Sequence, residues 1–195
     1  MNRYERFILI VVFFVFTMFL LTYGEEIQYL KKKIKILESL IDYDSKKHAF
    51  IDTYVKNILS SPHCRVDTST AYRIASALYE YTSYYRLNPD IVFKMIFVET
   101  GGTFLPNLRG RAGEVGLMQL LPSTAFFISE GEDYDLYDID DNIKLGCKYL
   151  RLLLDYSGGD YNEAIAKYNA GRYWRTKGLS YATKVMLVDL KEEME

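Results

Sequence analysis

An apolar run near the N-terminus limits what this chain can fold into. Residues 7–21 are apolar except for one threonine, and Arg3 and Arg6 precede them. With the two residues that follow it, the run reaches the roughly 17 residues of a short membrane-spanning helix. The sequence therefore predicts that residues 1–24 are a short N-terminal segment followed by a transmembrane helix.

A cleaved secretory signal peptide has the same basic start and apolar middle. Residues 22–24 read Thr-Tyr-Gly, which is a poor cleavage site, so the sequence favours an uncleaved signal anchor. Arg3 and Arg6 indicate a cytoplasmic N-terminus, although the lysines of residues 31–35 weaken this positive-inside signal. We expect a single-pass protein of the cell (inner) membrane, with the rest of the chain extracytoplasmic or periplasmic.

Residues 25–64 combine many charges with a regular spacing of larger side chains. These side chains recur at steps of three and four residues in two series that Asp44 separates. The first series is Ile27, Leu30, Ile34, Leu37 and Ile41, and the second is His48, Ile51, Val55 and Ile58. Such a heptad pattern predicts a helical stalk, which can form a coiled coil with a second copy or with a partner protein. The alternative is an amphipathic helix packed on its own domain. Pro62 predicts the end of this helix.

Helix signals recur through residues 65–195. The strongest is Asn88-Pro89, with Asn88 as N-cap and Pro89 at the first helical position. No stretch shows the sustained alternation of a strand, so the predicted class is all-α. Helices are expected over residues 68–86, 89–99, from 122 onwards, from a cap at 140–142 to 158, from 162 to 171, and over about 181–191.

Composition excludes several classes of function. A formal net charge of −2 offers no basic surface for nucleic acid. Two histidines and two cysteines are too few and too scattered for a metal site, and we expect no cofactor. Cys64 and Cys147 can pair in an oxidising compartment or remain two thiols, and both alternatives stay open.

Glu99 is the first candidate for chemistry. It follows an apolar run over residues 91–98, which stops at Gly101-Gly102. A helix with this acid in its last turn would hold the carboxyl against apolar walls. Because desolvation disfavours the charged form, its pKa should rise, which suits a general acid near neutral pH.

Three motifs follow one another in the chain. They are ETGGTFLP at 99–106, GLMQ at 116–119 and AKYNAG at 166–171. In this order they closely resemble the family 1 lytic transglycosylases, whose soluble-lytic-transglycosylase (SLT) domain is related to goose-type lysozyme. The pattern Asn-Ile-x-x-Gly-x-x-Tyr-Leu from Asn142 also fits. The resemblance covers about residues 67–195 and implies a lysozyme-like helical catalytic domain over residues 65–195.

This resemblance implies cleavage of the MurNAc-β-1,4-GlcNAc bond of peptidoglycan glycan strands. By motif match, Glu99 is the catalytic acid and then the base, and Tyr168 orients it. The substrate-binding residues implied are Thr100, Gly116, Leu117, Met118, Gln119, Tyr168, Asn169 and Tyr181. Core packing is an equal alternative for Met118, as is a helix-end hydrogen bond for Asn169. Gly110 stands where the family often has a serine that contacts substrate.

Ordinary glycosidases use two carboxylates. The sequence offers no convincing second one, because Glu114 lies in a variable loop, and Asp133 and Asp135 lie in an acidic connector. In the resembling family the substrate supplies the nucleophile: the C6 hydroxyl of MurNAc attacks C1 and leaves a 1,6-anhydro sugar. The alternatives are a lysozyme-type hydrolase, and a non-catalytic scaffold that binds glycan within an envelope complex.

Overall fold

The computed structural model of the chain describes residues 3–189 and is built from helices. Seven α-helices follow in order: α1 (Arg3–Ser60), α2 (Thr68–Tyr84), α3 (Pro89–Thr100), α4 (Pro122–Ser129), α5 (Ile139–Tyr156), α6 (Tyr161–Ala170) and α7 (Leu179–Leu187). A 3₁₀ turn (Gly171–Tyr173) and a π-helical turn (Trp174–Gly178) join α6 to α7. Residues 3–189 contain isolated β-bridges but no strand, which confirms the all-α prediction.

The chain divides into two compact units, one up to Lys47 and one from His48 onwards. The first unit is the N-terminal part of α1. It is helical through both the apolar run and the first heptad segment, as predicted. Its large apolar side chains between residues 7 and 43 are exposed.

The second unit contains α2–α7 together with the end of α1. Three side chains of α1 are buried in its core, at Ile51, Tyr54 and Ile58. The Tyr54 ring lies 5.0 Å from that of Phe93 in α3, and its hydroxyl donates to Asp90. Of the two alternatives left open by the heptad pattern, packing on its own domain therefore holds for residues 48–60.

Side-chain caps begin most of these helices. Asn88 caps α3 with Pro89 behind it, as predicted. The predicted caps of α5 and α6 are corrected, because Asp138 accepts from the backbone at the start of α5 and Asp160 does so for α6. Each lies two residues or more before the expected position, in a run where several side chains are able to cap. The last helix begins at Leu179 and ends at Leu187, and residues 190–191 of the predicted range lie outside the described residues.

Asn142 joins the two parts of the core. The larger hydrophobic cluster contains residues of every α-helix except α4, and the smaller one contains residues of α4, of α5 and of the loops on either side of α4. The buried Asn142 side chain accepts from the Met118 amide at 2.8 Å and donates to the carbonyls of Val115 at 3.0 Å and Leu136 at 2.9 Å. Gly116 has a φ of +81°, and a Cβ there would lie 2.1 Å from Asn142 Nδ2. Only glycine fits this position.

We predict that Asn142→Ala lowers the free energy of unfolding by about 2–3 kcal/mol, since it removes the hydrogen bonds to the Met118 amide and the Leu136 carbonyl and one of the two that the Val115 carbonyl accepts. Urea titration of the detergent-solubilised chain, followed by circular dichroism, measures the change. Asn162→Ala, at an exposed position of α6, is the matched control and should change stability by less than about 0.5 kcal/mol. Equal effects of the two substitutions would contradict the role given to Asn142.

Candidate active site

Glu99 occupies the last turn of α3, as the sequence predicted. The helix before it is largely buried, and Gly101, in the left-handed conformation, caps its C-terminus. The Glu99 carboxyl is half-buried, and its Oε1 accepts a hydrogen bond of 2.5 Å from the Tyr181 hydroxyl on α7. Two chain segments 82 residues apart therefore meet at one carboxyl.

The environment of Glu99 changes its acidity. Burial raises its pKa from 4.5 to about 7, and the negative charge of Glu114 acts in the same direction. The hydrogen bond from Tyr181 and the positive charge of Lys184 act in the opposite direction. Burial dominates because removing the carboxyl from water disfavours its charged form. The result is an acid that holds its proton close to neutral pH.

A cavity of about 290 Å³ opens beside this acid. It is formed by the end of α3, the loop before α4, the first turn of α4, and one face of α5 and α6. Its lining residues are Glu99, Gly110, Glu114, Gln119, Leu120, Leu121, Thr124, Tyr149, Tyr168 and Asn169.

Four residues of the predicted site line this cavity together: Glu99, Gln119, Tyr168 and Asn169. The Gln119 Nε2 donates to the Gly116 carbonyl at 2.7 Å, which fixes the amide against its own loop. A Cβ at Gly110 would lie only 2.7 Å from Gln119 Oε1, so the amide oxygen lies over the glycine. The absence of a side chain at Gly110 gives this oxygen its space.

The other five residues of the predicted site do not line the cavity. Tyr181 contacts Glu99 from α7, and the remaining four lie in the core. Thr100 is 4% exposed, and its hydroxyl donates to the Ile96 carbonyl of the same helix at 2.8 Å. Leu117 and Met118 are completely buried in the core. Gly116 is packed against Asn142. These four residues lie in the core beside the cavity, and their binding of substrate stays a prediction.

The hydroxyl that orients Glu99 belongs to Tyr181 and not to Tyr168. The Tyr168 hydroxyl donates to the Met118 carbonyl at 3.0 Å, which ties α6 to the loop. Its ring lies 5.1 Å from that of Tyr149 in α5. Tyr168 thus forms part of the cavity wall, and the hydrogen bond to the acid is made by Tyr181.

The main residue that sequence reasoning missed is Glu114. The bridges Arg109–Val115 and Val115–Leu120 fold the loop back on itself, and this brings Glu114 to the cavity that Glu99 lines. Its Oε2 accepts from the Ala112 amide at 3.0 Å. A Cβ at Gly110 would lie 2.3 Å from that oxygen, so a side chain there would displace the carboxylate. The glycine that replaces the expected serine was the available signal.

Comparison with known proteins agrees with this geometry. The family model of the transglycosylase SLT domain matches residues 76–185, a range that contains Glu99, the other cavity-lining residues and Tyr181. This chain belongs to that family. Membership together with the helical architecture confirms the predicted lysozyme-like SLT fold class.

Individual SLT relatives match only part of their own length. A transglycosylase of Enterobacteria phage PRD1 is 36% identical over 105 residues, which are 52% of this chain and 37% of that protein. The lytic transglycosylase Slt of Pseudomonas aeruginosa, solved as an inactive mutant, is 27% identical with a TM-score of 0.46, over 56% of this chain and 17% of that one. The 70-kDa soluble lytic transglycosylase of Escherichia coli is 19% identical with a TM-score of 0.48, over 76% of this chain and 28% of that one. The chain thus spans about a third or less of these relatives.

The raised pKa of Glu99 predicts a particular pH dependence of stability. Between pH 4.5 and about 7 the folded protein keeps a proton that the unfolded chain releases. This stabilisation is complete below pH 4.5 and is lost as the pH rises through about 7. We therefore expect Glu99→Gln to be more stable than the wild type at pH 8, by about 3–4 kcal/mol at about 1.4 kcal/mol per pH unit, and close to it at pH 4.5.

Urea titrations at both pH values measure this difference. Glu80→Gln, at an exposed position of α2, serves as control and should differ from the wild type by less than about 0.5 kcal/mol at either pH. A Glu99→Gln variant whose advantage did not grow between pH 4.5 and 8 would show that the carboxyl titrates normally.

The two neighbours of Glu99 should move its pKa in opposite directions. Tyr181→Phe removes the hydrogen bond that favours the carboxylate, so the pKa should rise further. Glu114→Gln removes a nearby negative charge and keeps an acceptor for the Ala112 amide, so the pKa should fall. Carbon-13 NMR titration of the Glu99 carboxyl, assigned by its absence in Glu99→Gln, measures both. Shifts in the same direction would contradict this account.

Proposed function

We propose that this protein is a membrane-anchored lytic transglycosylase that cleaves the MurNAc-β-1,4-GlcNAc bond of peptidoglycan and leaves 1,6-anhydro-MurNAc ends. The observation that carries the proposal is Glu99, a carboxyl with a pKa of about 7 beside a cavity in a domain of the SLT family. The substrate would be a glycan strand lying in this cavity, and nucleic acid is not an expected partner.

The first step is protonation of the leaving group. At neutral pH a large fraction of Glu99 carries its proton and can transfer it to the glycosidic oxygen as the C1–O bond breaks. Because Tyr181 donates to Oε1, the proton that is transferred is expected on Oε2. The same hydrogen bond stabilises the carboxylate that forms, so Tyr181 favours the transfer.

The second step closes the anhydro ring. The 2-acetamido group of MurNAc can stabilise the positive charge at C1, and the C6 hydroxyl oxygen then forms the new bond to C1. Glu99, now a carboxylate, takes the proton of that hydroxyl and returns to its starting state. A hydroxyl on the same sugar has a high effective concentration, which favours it over water. No water is consumed.

Hydrolysis is the second candidate, and Glu114 is the observation that favours it. A glycosidase of the lysozyme type uses one carboxyl as acid and a second as nucleophile or base. Glu114 places a second carboxylate on the cavity that Glu99 lines. In that reaction the products would carry ordinary reducing ends.

The membrane anchor is supported by helix α1. Within the described residues it is the one helix that is long and apolar enough to cross a membrane, with a mean hydropathy of 2.5 over its most apolar window and none of that window buried. Arg3 and Arg6 precede the apolar run, which favours a cytoplasmic N-terminus. The SLT domain would then face the periplasm, where its substrate is.

Mass spectrometry of the muropeptides released from purified peptidoglycan tests the proposal. We expect the solubilised chain to release anhydro-MurNAc products. Glu99→Gln should reduce the rate by about 10²–10⁴-fold, the usual contribution of a general acid. Asp133→Asn, in the exposed connector after α4, is the control and should retain activity.

Glu114→Gln separates the two candidates. A transglycosylase should keep forming anhydro ends in this variant, whereas a hydrolase that uses Glu114 should lose activity to about the same extent as Glu99→Gln. Hydrated reducing ends from the unmodified chain would favour the lysozyme-type reaction. Binding of glycan with no product from any variant would make the protein a glycan-binding scaffold.

A further inference from the structure

The part of α1 between Glu25 and Lys47 carries an exposed aliphatic stripe. Its five members are exposed by between 42% (Ile27) and 69% (Ile41): Ile27, Leu30, Ile34, Leu37 and Ile41. Charged residues such as Lys31 and Lys33 lie between them, which places this segment in water and not in lipid. Burial of such a stripe is favourable, so a partner surface is expected along it.

The residue types on the stripe indicate how many helices would cover it. If Ile27 is given heptad position a, isoleucine occupies all three a positions, and leucine occupies both d positions between them. β-branched residues at a together with leucine at d favour two parallel strands over trimers or tetramers. The stripe is therefore suited to one partner helix.

The charges beside the stripe indicate that the partner is a second copy of this chain. Position g carries Glu26 and Lys33, and position e carries Lys31 and Glu38. In a parallel in-register pair, each g residue faces the e residue five positions later on the other helix. Glu26 would then face Lys31, and Lys33 would face Glu38. Both contacts join opposite charges, and symmetry repeats each of them.

Two other arrangements of the same two helices bring like charges together. Sliding one helix of the parallel pair by a heptad sets Glu26 against Glu38 and Lys33 against Lys31. An antiparallel pair with Ile27 opposite Leu37 sets Lys33 against its own copy and Lys31 against its own copy. The antiparallel pair with Leu30 opposite Ile41 sets Lys31 against Glu38. The charges therefore select the register of a parallel pair, and its direction follows from the two apolar runs that precede it.

We propose that residues 26–41 of two copies of this chain form a parallel, in-register, two-stranded coiled coil. The parallel direction puts the two apolar runs, which directly precede this segment, at the same end of the pair. Both can then enter one membrane, a point that rests on the proposed anchor. Two anchored chains also meet at a high effective concentration, which helps so short a coiled coil to form.

Cysteine cross-linking of the full chain in membranes tests the pairing. Leu37→Cys introduces a thiol at a d position, where facing residues of a parallel pair are close enough for a disulfide. Ser39→Cys introduces one at the outward position f and is the matched control. Both are made with Cys64→Ser, because Cys64 is only partly buried whereas Cys147 is fully buried. We expect a covalent dimer for the first variant, at least about tenfold more than for the second.

A charge exchange tests the register within the same experiment. Within its own helix, Lys33 Nζ lies 4.6 Å from the Tyr29 ring, and the proposed pairing does not use that contact. Lys33→Glu in the Leu37→Cys chain should reduce dimer formation several-fold, because it sets two glutamates against each other. Adding Glu38→Lys should restore it, since these positions are five residues apart and do not face each other on one helix.

Several results would overturn the proposal. They are equal cross-linking at residues 37 and 39, no cross-linking at either, a cross-link from residue 37 to a different protein, and failure of Glu38→Lys to restore the dimer. Because no substrate is present, each leaves the proposed glycan cleavage untouched. Muropeptide release is measured on the same preparations, so loss of activity and loss of pairing are read separately.

Discussion

The loop before α4 can form the site only because two helices hold its backbone. Asn142 of α5 binds the Met118 amide and two carbonyls, while the Tyr168 hydroxyl of α6 binds the Met118 carbonyl. The backbone N–H and carbonyl of Met118 thus both have hydrogen-bond partners inside the protein, which lets the Met118 side chain remain in the core. Gln119, the next residue, then takes a positive φ of 44° and reaches the cavity.

This anchoring also explains how one acid is tuned by groups from distant parts of the chain. Glu99 comes from the buried helix α3, Glu114 from the fixed loop and Tyr181 from α7. Desolvation sets the main effect on the pKa of Glu99, and the two neighbours act against each other. The acidity therefore depends on the relative positions of three elements, each of which is held by packing remote from the carboxyl.

Much of this arrangement was predictable because its causes are local. The start of α3 follows from Asn88 and Pro89, and the position of Glu99 follows from the apolar run before it. Whether each loop residue faces the core or the cavity was not predictable from the sequence. It depends on the β-bridges at Val115 and on the hydrogen bonds of the buried Asn142. For this reason the motif placed Met118 in the cavity and left Glu114 out. The sequence motif placed Tyr181 at the site but did not predict its hydrogen bond to Glu99, because the packing of α7 decides that contact.

The contribution of α7 has a consequence for the order in which the site is made. A ribosome produces the N-terminus first, and the earlier elements of a chain can fold while the later ones are still being synthesised. Glu99 and the cavity loop are therefore present well before Tyr181 leaves the ribosome. A nascent chain would carry the acid without its orienting hydroxyl until α7 docks. The candidate active site would thus be complete only after the last helix of the described residues has joined the domain.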